Sequence, residues 1–226
     1  MISTLTIDAL GTLLRMEPPA PRLREQLLQR GVEVSEERAQ QAFSREIAYY
    51  LTHHVEGRDP DSLEQLRNRC AGVLRDSLGL RHIELGAIRS ALLDSLHFQA
   101  FEDAAPALEE IRGRGISIVA ASNWDSSLPE VLERVGLARL VDGVVSSAVV
   151  GVTKPAPKLF RAALAMAGAQ PAEALHVGDS LEMDVIGARS VGMQAVLVTR
   201  DGATRGPDHV RSIRALTELP DLISEA

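Results

Sequence analysis

The stretch "TIDALGTLL", residues 6–14, joins the end of a short apolar run to the carboxylate of Asp8 and then to Gly11. A β-rich apolar run that ends in Asp and Gly predicts a buried strand followed by a tight turn. In open α/β sheets, functional side chains gather at the carboxyl ends of the strands. The stretch therefore predicts a first strand at residues 3–7, with Asp8 at its carboxyl end as a candidate reactive residue.

The same pattern recurs further along the chain. Apolar runs at residues 117–121, 143–145, 175–177 and 195–198 mostly end in Asp, Ser, Asn or Gly. Between them, "APALEEIRGRG", "LPEVLERVGL" and "KLFRAALAMAG" carry apolar residues at three- and four-residue spacing, as helices do. Alternating strands and helices predict an α/β fold with a doubly wound parallel sheet, in which helices cover both faces.

The segment from about residue 22 to about residue 96 breaks this alternation. Its sequence pattern is typical of helices and rich in Leu, Ala, Arg and Glu, and it contains no convincing strand pattern. Proline and mixed polar residues flank it, as is typical of linkers. We expect an α/β core domain formed by residues 1–15 and 98–226, with an inserted all-helical cap domain at residues 16–97.

Composition restricts the kind of protein and its partners. The 226 residues are 45% hydrophobic and 24% charged, the balance of an ordinary globular protein, and the net charge of −7 offers no basic stripe for nucleic acid. No apolar run is long enough to cross a bilayer. The single cysteine, Cys70, and the lack of a signal-like N-terminus favour a reducing cytoplasm. We expect a cytoplasmic protein that acts on a small molecule, away from nucleic acid and membranes.

Four short motifs near predicted strand ends carry side chains suited to phosphate or metal chemistry. They are Asp8 in "IDALGT", Ser122 and Asn123 in "SNWD", Lys154 in "KPAPKLF", and Asp179 with Asp184 in "GDSLEMD". Taken singly, each has an ordinary structural explanation, such as a helix cap or a solvated lysine. Their order and their common position at strand ends favour a single site.

Together these motifs resemble those of the haloacid dehalogenase superfamily, in the subgroup with a helical cap inserted after the first motif. "SNWD", "KPAPKLF" and "VGDSLEMDVIGA" are similar to the second, third and fourth motifs of that family, so the resemblance covers nearly the whole chain. The inserted segment matches the cap of that subgroup by its position in the chain and its helical sequence pattern. The resemblance implies a Rossmann-like core and a hydrolase activity.

The resemblance also implies roles for individual residues. Asp8 would be the nucleophile and form a covalent aspartyl intermediate, and Ser122 and Lys154 would complete the catalytic set by stabilising charge. The expected substrate-binding residues are Thr12, Ser122, Asn123 and Lys154, which suit an anionic substrate. The expected ligands of a Mg²⁺ cofactor are Asp8, the carbonyl of Leu10, Asp179 and Asp184.

Leu10 departs from the phosphatase pattern, which has a second aspartate two residues after the nucleophile. That aspartate protonates the leaving group and later activates water, and general acid–base catalysis of this kind contributes roughly 10²–10⁴ in rate. A leucine side chain supplies neither function, but its backbone carbonyl remains available to a metal. At position 10 the chain therefore keeps the backbone oxygen that can bind a metal but lacks the side chain for acid catalysis.

Three functions stay open from the sequence. The favoured one is a phosphate-ester or anhydride hydrolase that uses a substitute acid or accepts a good leaving group. The second is a 2-haloacid dehalogenase-type hydrolase, which needs no acid there but usually has a tyrosine in place of Leu10 and a different fourth motif. The third is a catalytically degenerate binding or regulatory protein on the same scaffold.

Residues outside the sets named above are further candidates in the site and the inserted segment. Glu17 is the nearest candidate for a substitute acid, and Trp124 and Asp125 are candidates for the wall of the site. Tyr50 and His54 are expected to share a helix face, close to Tyr49 and His53, in a segment that can contact substrate. Cys70 is expected to be a buried, inert thiol. The sequence leaves the substrate undetermined and is compatible with a monomer or a homodimer.

Overall fold

The computed structural model describes residues 1–200 and 209–224. The chain divides into two compact units, one formed by Met1–Arg15 and Ala100–Ala226 and the other by Met16–Gln99. The second unit extends two residues beyond the expected range of 16–97. Part of the expected core range, residues 201–208 and 225–226, lies outside the described residues.

The strands and helices of the described residues alternate along the first unit, whereas helices dominate the second. The strands are β1 (Thr4–Ile7), β2 (Leu14–Met16), β3 (Phe98–Ala100), β4 (Ser117–Ser122), β5 (Gly143–Ser146), β6 (Ala174–Gly178), β7 (Gln194–Val198) and β8 (Ser212–Ile213). The α-helices are α1 (Pro19–Gln29), α2 (Glu36–His53), α3 (Pro60–Ser77), α4 (Leu85–Ser95), α5 (Ala104–Gly113), α6 (Leu128–Arg134), α7 (Ser147–Val150), α8 (Pro157–Ala167), α9 (Gly187–Arg189) and α10 (Leu219–Ser224). A π-helical segment, Leu181–Ile186, precedes α9, and short 3-10 turns lie at His54–Glu56, Ala138–Leu140, Pro171–Glu173 and Leu216–Glu218.

The first unit contains a six-stranded sheet in the order β5-β4-β1-β6-β7-β8. Every pair of neighbouring strands in it is parallel. The predicted α/β class with a parallel sheet is confirmed, and all five predicted strands are present. β1 lies inside the sheet, between β4 and β6, and all four of its residues are buried, the threonines Thr4 and Thr6 as well as Leu5 and Ile7.

Three short strands were not predicted. β2 and β3 pair as a separate two-stranded sheet in the segments expected to be linkers, and β8 adds two residues at the edge of the large sheet. Runs of two or three residues are too short to show a periodic pattern, so their pairing depends on the tertiary structure.

The second unit has its own hydrophobic core, in which leucines, alanines and Phe43 from its helices pack together. Contact among α1, α2, α3 and α4 accounts for this core. Each fully buried leucine contributes roughly 1.5–3 kcal/mol through removal of apolar surface from water. The predicted helical texture of residues 22–96 is confirmed, since no strand occurs there. Among the described residues, no helix combines the length and apolar character needed to cross a membrane.

Candidate active site

Adjacent strands bring the predicted motif residues to one edge of the sheet. β1 lies between β4 and β6, and Ile7 is in register with Ala120 on one side and Val177 on the other. Parallel strands end at the same edge, so the residues that follow β1, the end of β4 and the residues that follow β6 meet there. This arrangement places Asp8, Ser122 and Asp179 near one another although they are more than 50 residues apart in the chain.

Asp8 is a buried carboxylate with two side-chain donors. Only 5% of the residue is exposed. Its Oδ1 accepts hydrogen bonds from Ser122 Oγ at 2.9 Å and from Lys154 Nζ. Its backbone N–H donates to the carbonyl of Val177 at 2.8 Å, which fixes the start of the turn to β6. These contacts orient one carboxylate oxygen.

Lys154 links the two buried carboxylates of the site. Its Nζ donates to Asp8 and, at 2.6 Å, to Asp184 Oδ1. Burial by itself would lower the pKa of Lys154, but the charges of Asp8 and Asp184 outweigh burial and raise the pKa above its usual value. Lys154 therefore stays charged and supplies one positive charge to the site.

Asn123 holds the backbone of Lys154. Its Oδ1 accepts from the Lys154 N–H at 2.7 Å, and its Nδ2 donates to the Lys154 carbonyl at 3.3 Å. This two-point contact joins the loop after β4 to the loop before α8. The contact gives Asn123 a positioning role toward Lys154, and a direct contact of Asn123 with substrate stays a prediction.

Three carboxylates converge at the strand ends. Asp8, Asp179 and Asp184 each offer an oxygen within 4.8 Å of the other two, and Asp179 is the exposed member. Burial and the neighbouring Asp184 charge raise the pKa of Asp8 despite Lys154. Although Asp179 is exposed as a residue, partial desolvation of its carboxyl group and the charges of Asp8 and Asp184 raise its pKa to about 6. Although burial opposes it, Lys154 and His176 hold the pKa of Asp184 below its usual range.

This donor set fits a hard divalent cation. Three carboxylates share a single lysine, so the site carries excess negative charge that a cation would neutralise. Oxygen ligands of this type suit Mg²⁺ or Ca²⁺. Asp8, Asp179 and Asp184 are the residues that would hold the ion, and the Leu10 carbonyl stays a predicted fourth ligand.

Two glycines allow the acidic side chains to pack against the backbone. A Cβ atom at Gly11 would lie 2.0 Å from Asp179 Oδ2, and one at Gly178 would lie 2.1 Å from Asp184 Cγ. Gly11 also has φ of +88°, which L side chains rarely adopt. Glycine at these positions is therefore required by the closeness of the carboxylates.

The two other first-motif residues differ in exposure. Leu10 is 41% exposed and lies in the turn where the phosphatase pattern has an acid. Thr12 is fully buried, and its Oγ1 has no hydrogen-bond partner among the described residues. Its contact with substrate stays a prediction.

Glu17, the candidate substitute acid, lies among partners that favour its ionised form. Its carboxylate accepts from Arg22 Nε at 2.7 Å and from Gln99, and His97 Nδ1 lies 3.2 Å away. The hydrogen bond from Arg22 is the main cause that lowers the pKa of Glu17. A group that holds its proton less tightly than usual is a poor general acid at neutral pH, so this environment argues against Glu17 as the substitute acid, which stays a prediction from the sequence.

The remaining residues singled out in the sequence are buried or lie in aromatic pairs. Trp124 and Asp125 are buried, and Asp125 accepts hydrogen bonds from the N–H and hydroxyl of Ser127. The rings of Tyr50 and His54 lie 5.7 Å apart, which confirms their predicted common face, and those of Tyr49 and His53 stack at 4.0 Å. Cys70 is buried, as expected.

Two residues with contacts to the site were not predicted. His176 in β6 contacts Asp184 from inside the sheet, and Arg200, which follows β7, donates to the Thr12 carbonyl. A histidine within an otherwise apolar strand was a visible signal for the first. Nothing local marked the second, since its partners are distant in the sequence.

Comparison with known proteins agrees with this geometry. Residues 2–192 match the family model of the haloacid dehalogenase-like hydrolases. The chain belongs to this family. The match covers the sheet through β6 and every motif residue named above.

Individual relatives carry different names. Haloacid dehalogenase-like hydrolase domain-containing protein 3 of Bos taurus is 42% identical over 45% of this chain and 40% of its own length. Ribulose-1,5-bisphosphate 5-phosphatase of Halopiger xanaduensis is 37% identical over 54% of this chain and 56% of its own. The chain thus spans about half the length of these curated relatives.

A solved structure supports the fold over the whole chain. The 2-haloacid dehalogenase from Pseudomonas syringae pv. Tomato DC3000 superposes with a TM-score of 0.71, covering 100% of this chain and 99% of its own, at 22% identity. Likeness at this identity concerns the fold alone. The reaction must be argued from the site.

Proposed function

We propose that this protein hydrolyses a small, anionic phosphorylated metabolite through a covalent intermediate on Asp8, with Mg²⁺ as cofactor. The observation that carries the proposal is the arrangement of Asp8, which receives hydrogen bonds from Ser122 and Lys154 within the cluster of three carboxylates. The name of the related ribulose-1,5-bisphosphate 5-phosphatase supports a phosphorylated substrate.

The proposed reaction has two displacements at phosphorus. A carboxylate oxygen of Asp8 attacks the phosphoryl group, the bond from phosphorus to the leaving-group oxygen breaks, and an aspartyl phosphate forms. Water then attacks the same phosphorus, releasing inorganic phosphate and restoring the Asp8 carboxylate. Splitting the transfer in this way replaces one difficult displacement by two easier ones.

The surrounding residues stabilise charge and orientation. Lys154 and Ser122 donate to the nucleophile and are placed to donate to phosphoryl oxygens. Bound Mg²⁺, held by Asp8, Asp179, Asp184 and the Leu10 carbonyl, would neutralise charge on the phosphoryl group. Asn123 keeps the Lys154 backbone in place.

Leu10 limits the substrates that this site can use well. It cannot protonate a leaving oxygen, so the bond to a poor leaving group, such as an alkoxide, breaks slowly. The proposal therefore favours anhydrides, acyl phosphates and other phosphates whose leaving group needs little protonation. We assign selection among such substrates to residues 16–97, in line with the family resemblance.

The test is hydrolysis of p-nitrophenyl phosphate with and without Mg²⁺. We expect activity that requires Mg²⁺ and is lost in Asp8→Asn, while the same change at the exposed Asp61 leaves it unaltered. Trapping of a covalent phosphoryl adduct on wild type, but not on Asp8→Asn, identifies the nucleophile. Complete inactivity over a panel of anhydrides, acyl phosphates and aryl phosphates would contradict the proposal.

A carbon–halogen hydrolase is the second candidate, favoured by the lack of an acid at Leu10. In that reaction Asp8 attacks carbon and expels halide, which needs no proton. Halide release from 2-haloacids in the absence of metal distinguishes it. The cluster of three carboxylates argues for the phosphatase, since a halide displacement gains nothing from a cation site.

A further inference from the structure

Thr6 and His176 form a buried polar pair on the neighbouring strands β1 and β6. They lie directly opposite one another in the register of β1 and β6, and both are fully buried. His176 Nδ1 lies 2.8 Å from Thr6 Oγ1. Burying polar groups is costly unless they are hydrogen-bonded, so two apolar residues would serve packing at least as well.

The other side of the imidazole contacts the site. His176 Nε2 lies 3.1 Å from Asp184 Oδ1, the oxygen that also accepts from Lys154. Thr6, His176 and Asp184 thus form a continuous hydrogen-bonded chain from the centre of the sheet to the carboxylate cluster. Phe160 packs edge-on against the imidazole, with ring centroids 5.1 Å apart, and so restricts its rotation.

Asp184 is fixed by partners on both oxygens. Its Oδ2 accepts from the N–H of Ser180 at 3.0 Å, while Oδ1 receives His176 and Lys154. An ionised carboxylate only accepts hydrogen bonds, so Nε2 of His176 must carry a hydrogen. The Thr6 hydroxyl can then donate to Nδ1 and hold the ring in the required orientation.

We propose that His176, held by Thr6, is a positioning residue that fixes the Asp184 carboxylate for the cation and for Lys154. This inference rests on the proposed function, in which Asp184 is a metal ligand. Partners that orient a metal ligand typically change metal affinity by 10- to 100-fold when they are removed. A role limited to packing would leave metal affinity unchanged.

The first test compares Thr6→Val with Thr4→Val. Thr4 is buried on the same strand two residues earlier, and alternate residues of a strand face the same side, so it is a matched control. We expect Thr6→Val to weaken Mg²⁺ binding to the purified protein, measured by calorimetry without substrate, by about 10-fold. Thr4→Val should bind as wild type does, and Thr6→Ser, which keeps the hydroxyl, should restore binding. Equal affinity in Thr6→Val and Thr4→Val would overturn the inference.

The second test needs neither metal nor turnover. Nitrogen NMR of the imidazole in the metal-free protein, assigned by the signals lost in His176→Gln, should show a hydrogen on Nε2 and a changed Nδ1 shift in Thr6→Val. An Nε2 without hydrogen, or an Nδ1 shift insensitive to Thr6→Val, would refute the positioning role. Failure of wild type to bind Mg²⁺ would instead count against the proposed cofactor, so the two failures are distinguishable.

Discussion

At the residue scale, Leu10 is the position at which the first motif departs from the phosphatase pattern. It leaves the cluster around Asp8 without a carboxyl group at the position where the family phosphatases have their acid, while the backbone of the turn is retained. In the proposed reaction Asp8 attacks, but the leaving oxygen finds no proton donor at position 10. The proposal therefore assigns this turn a nucleophile without an acid–base partner.

Restoring the acid should restore catalysis of difficult substrates. We expect Leu10→Asp to raise kcat for alkyl phosphates by at least about 10-fold, the lower part of the range for general acid–base catalysis. Hydrolysis of p-nitrophenyl phosphate, which has a good leaving group, should change little. Leu10→Asn, similar in size to Asp but unable to transfer a proton, is the control. An alkyl phosphatase rate no higher in Leu10→Asp than in Leu10→Asn would contradict this account.

Gly11 offers a test of why the turn needs glycine. In Gly11→Ala, the new Cβ would meet Asp179 at 2.0 Å and the backbone would be strained at φ of +88°. Gly31 has φ of +76° with nothing within 4 Å of its Cβ position, so Gly31→Ala carries the strain without the collision. Both variants should lose about 1 kcal/mol or more of stability in urea unfolding.

Only Gly11→Ala should also lose Mg²⁺ affinity and activity, because only its Cβ displaces the Asp179 carboxylate. Calorimetric titration with Mg²⁺ measures this difference. If Gly31→Ala reduced metal binding as much, loss of overall stability would explain both effects and the steric account would fail.

At the scale of elements, helix α2 carries a titratable group within the core of the inserted unit. Glu46 is only 4% exposed. Burial raises its pKa from 4.5 to about 7, although a hydrogen bond from Cys70 partly opposes the shift. The folded protein therefore holds this proton more tightly than the unfolded chain does.

The sign of the pH effect follows from this difference. Ionising Glu46 costs folding free energy as pH rises from about 4.5 to 7, and the full cost, about 3 kcal/mol, is present above pH 7. We expect Glu46→Gln to gain stability relative to wild type across this window and to show no such gain below pH 4.5. Urea unfolding at a series of pH values measures it. Glu25→Gln, at an exposed helix position, should show no such trend, and a flat difference for Glu46→Gln would refute the assignment.

Arg200 connects elements that the sequence separates widely. It donates to both oxygens of Asp103 at 3.1 Å and to the Thr12 carbonyl, and its guanidinium lies 3.6 Å from the centroid of the Phe101 ring. Arg200, two residues beyond the end of β7, thereby holds the first-motif turn and the chain that leads into α5.

We expect Arg200→Lys to lower the free energy of unfolding by about 2 kcal/mol, since a lysine cannot reproduce the planar set of donors or the ring contact. The same change at Arg139, whose pair with Glu109 is exposed, should cost less than about 0.5 kcal/mol. Similar losses at both positions would show that the contacts of Arg200 are not specific.

At the scale of the whole molecule, a bound cation should stabilise the fold. Three carboxylates with one lysine repel each other in the metal-free protein, and a cation bound only by the folded state adds stability by mass action. At Mg²⁺ concentrations about 100 times the dissociation constant, the gain is about 2.7 kcal/mol.

Thermal unfolding with and without Mg²⁺ measures this gain, with NaCl of equal ionic strength as the control. Asp179→Asn should raise the melting temperature of the metal-free protein, because it removes one repelling charge, and should reduce the Mg²⁺-dependent rise. An equal rise in wild type and Asp179→Asn would exclude Asp179 as a ligand.

Much of the architecture was predictable because its signals are local. The β-rich runs that became β1, β4, β5, β6 and β7 are each continuous in the sequence, and most of them end at Asp, Ser, Asn or Gly. The motif residues were also recognisable, because each stands beside a glycine or a strand end within a few residues.

By itself, the sequence determined the order of strands and helices, the inserted helical segment and the residues at the strand ends, since short-range periodicity and turn chemistry specify these features. Only the tertiary structure decided that Lys154 joins Asp8 to Asp184, that Thr6 pairs with His176, that Glu46 is buried, and that Glu17 is held in ion pairs. These properties arise from distances and desolvation among groups far apart in the chain, and no local pattern encodes them.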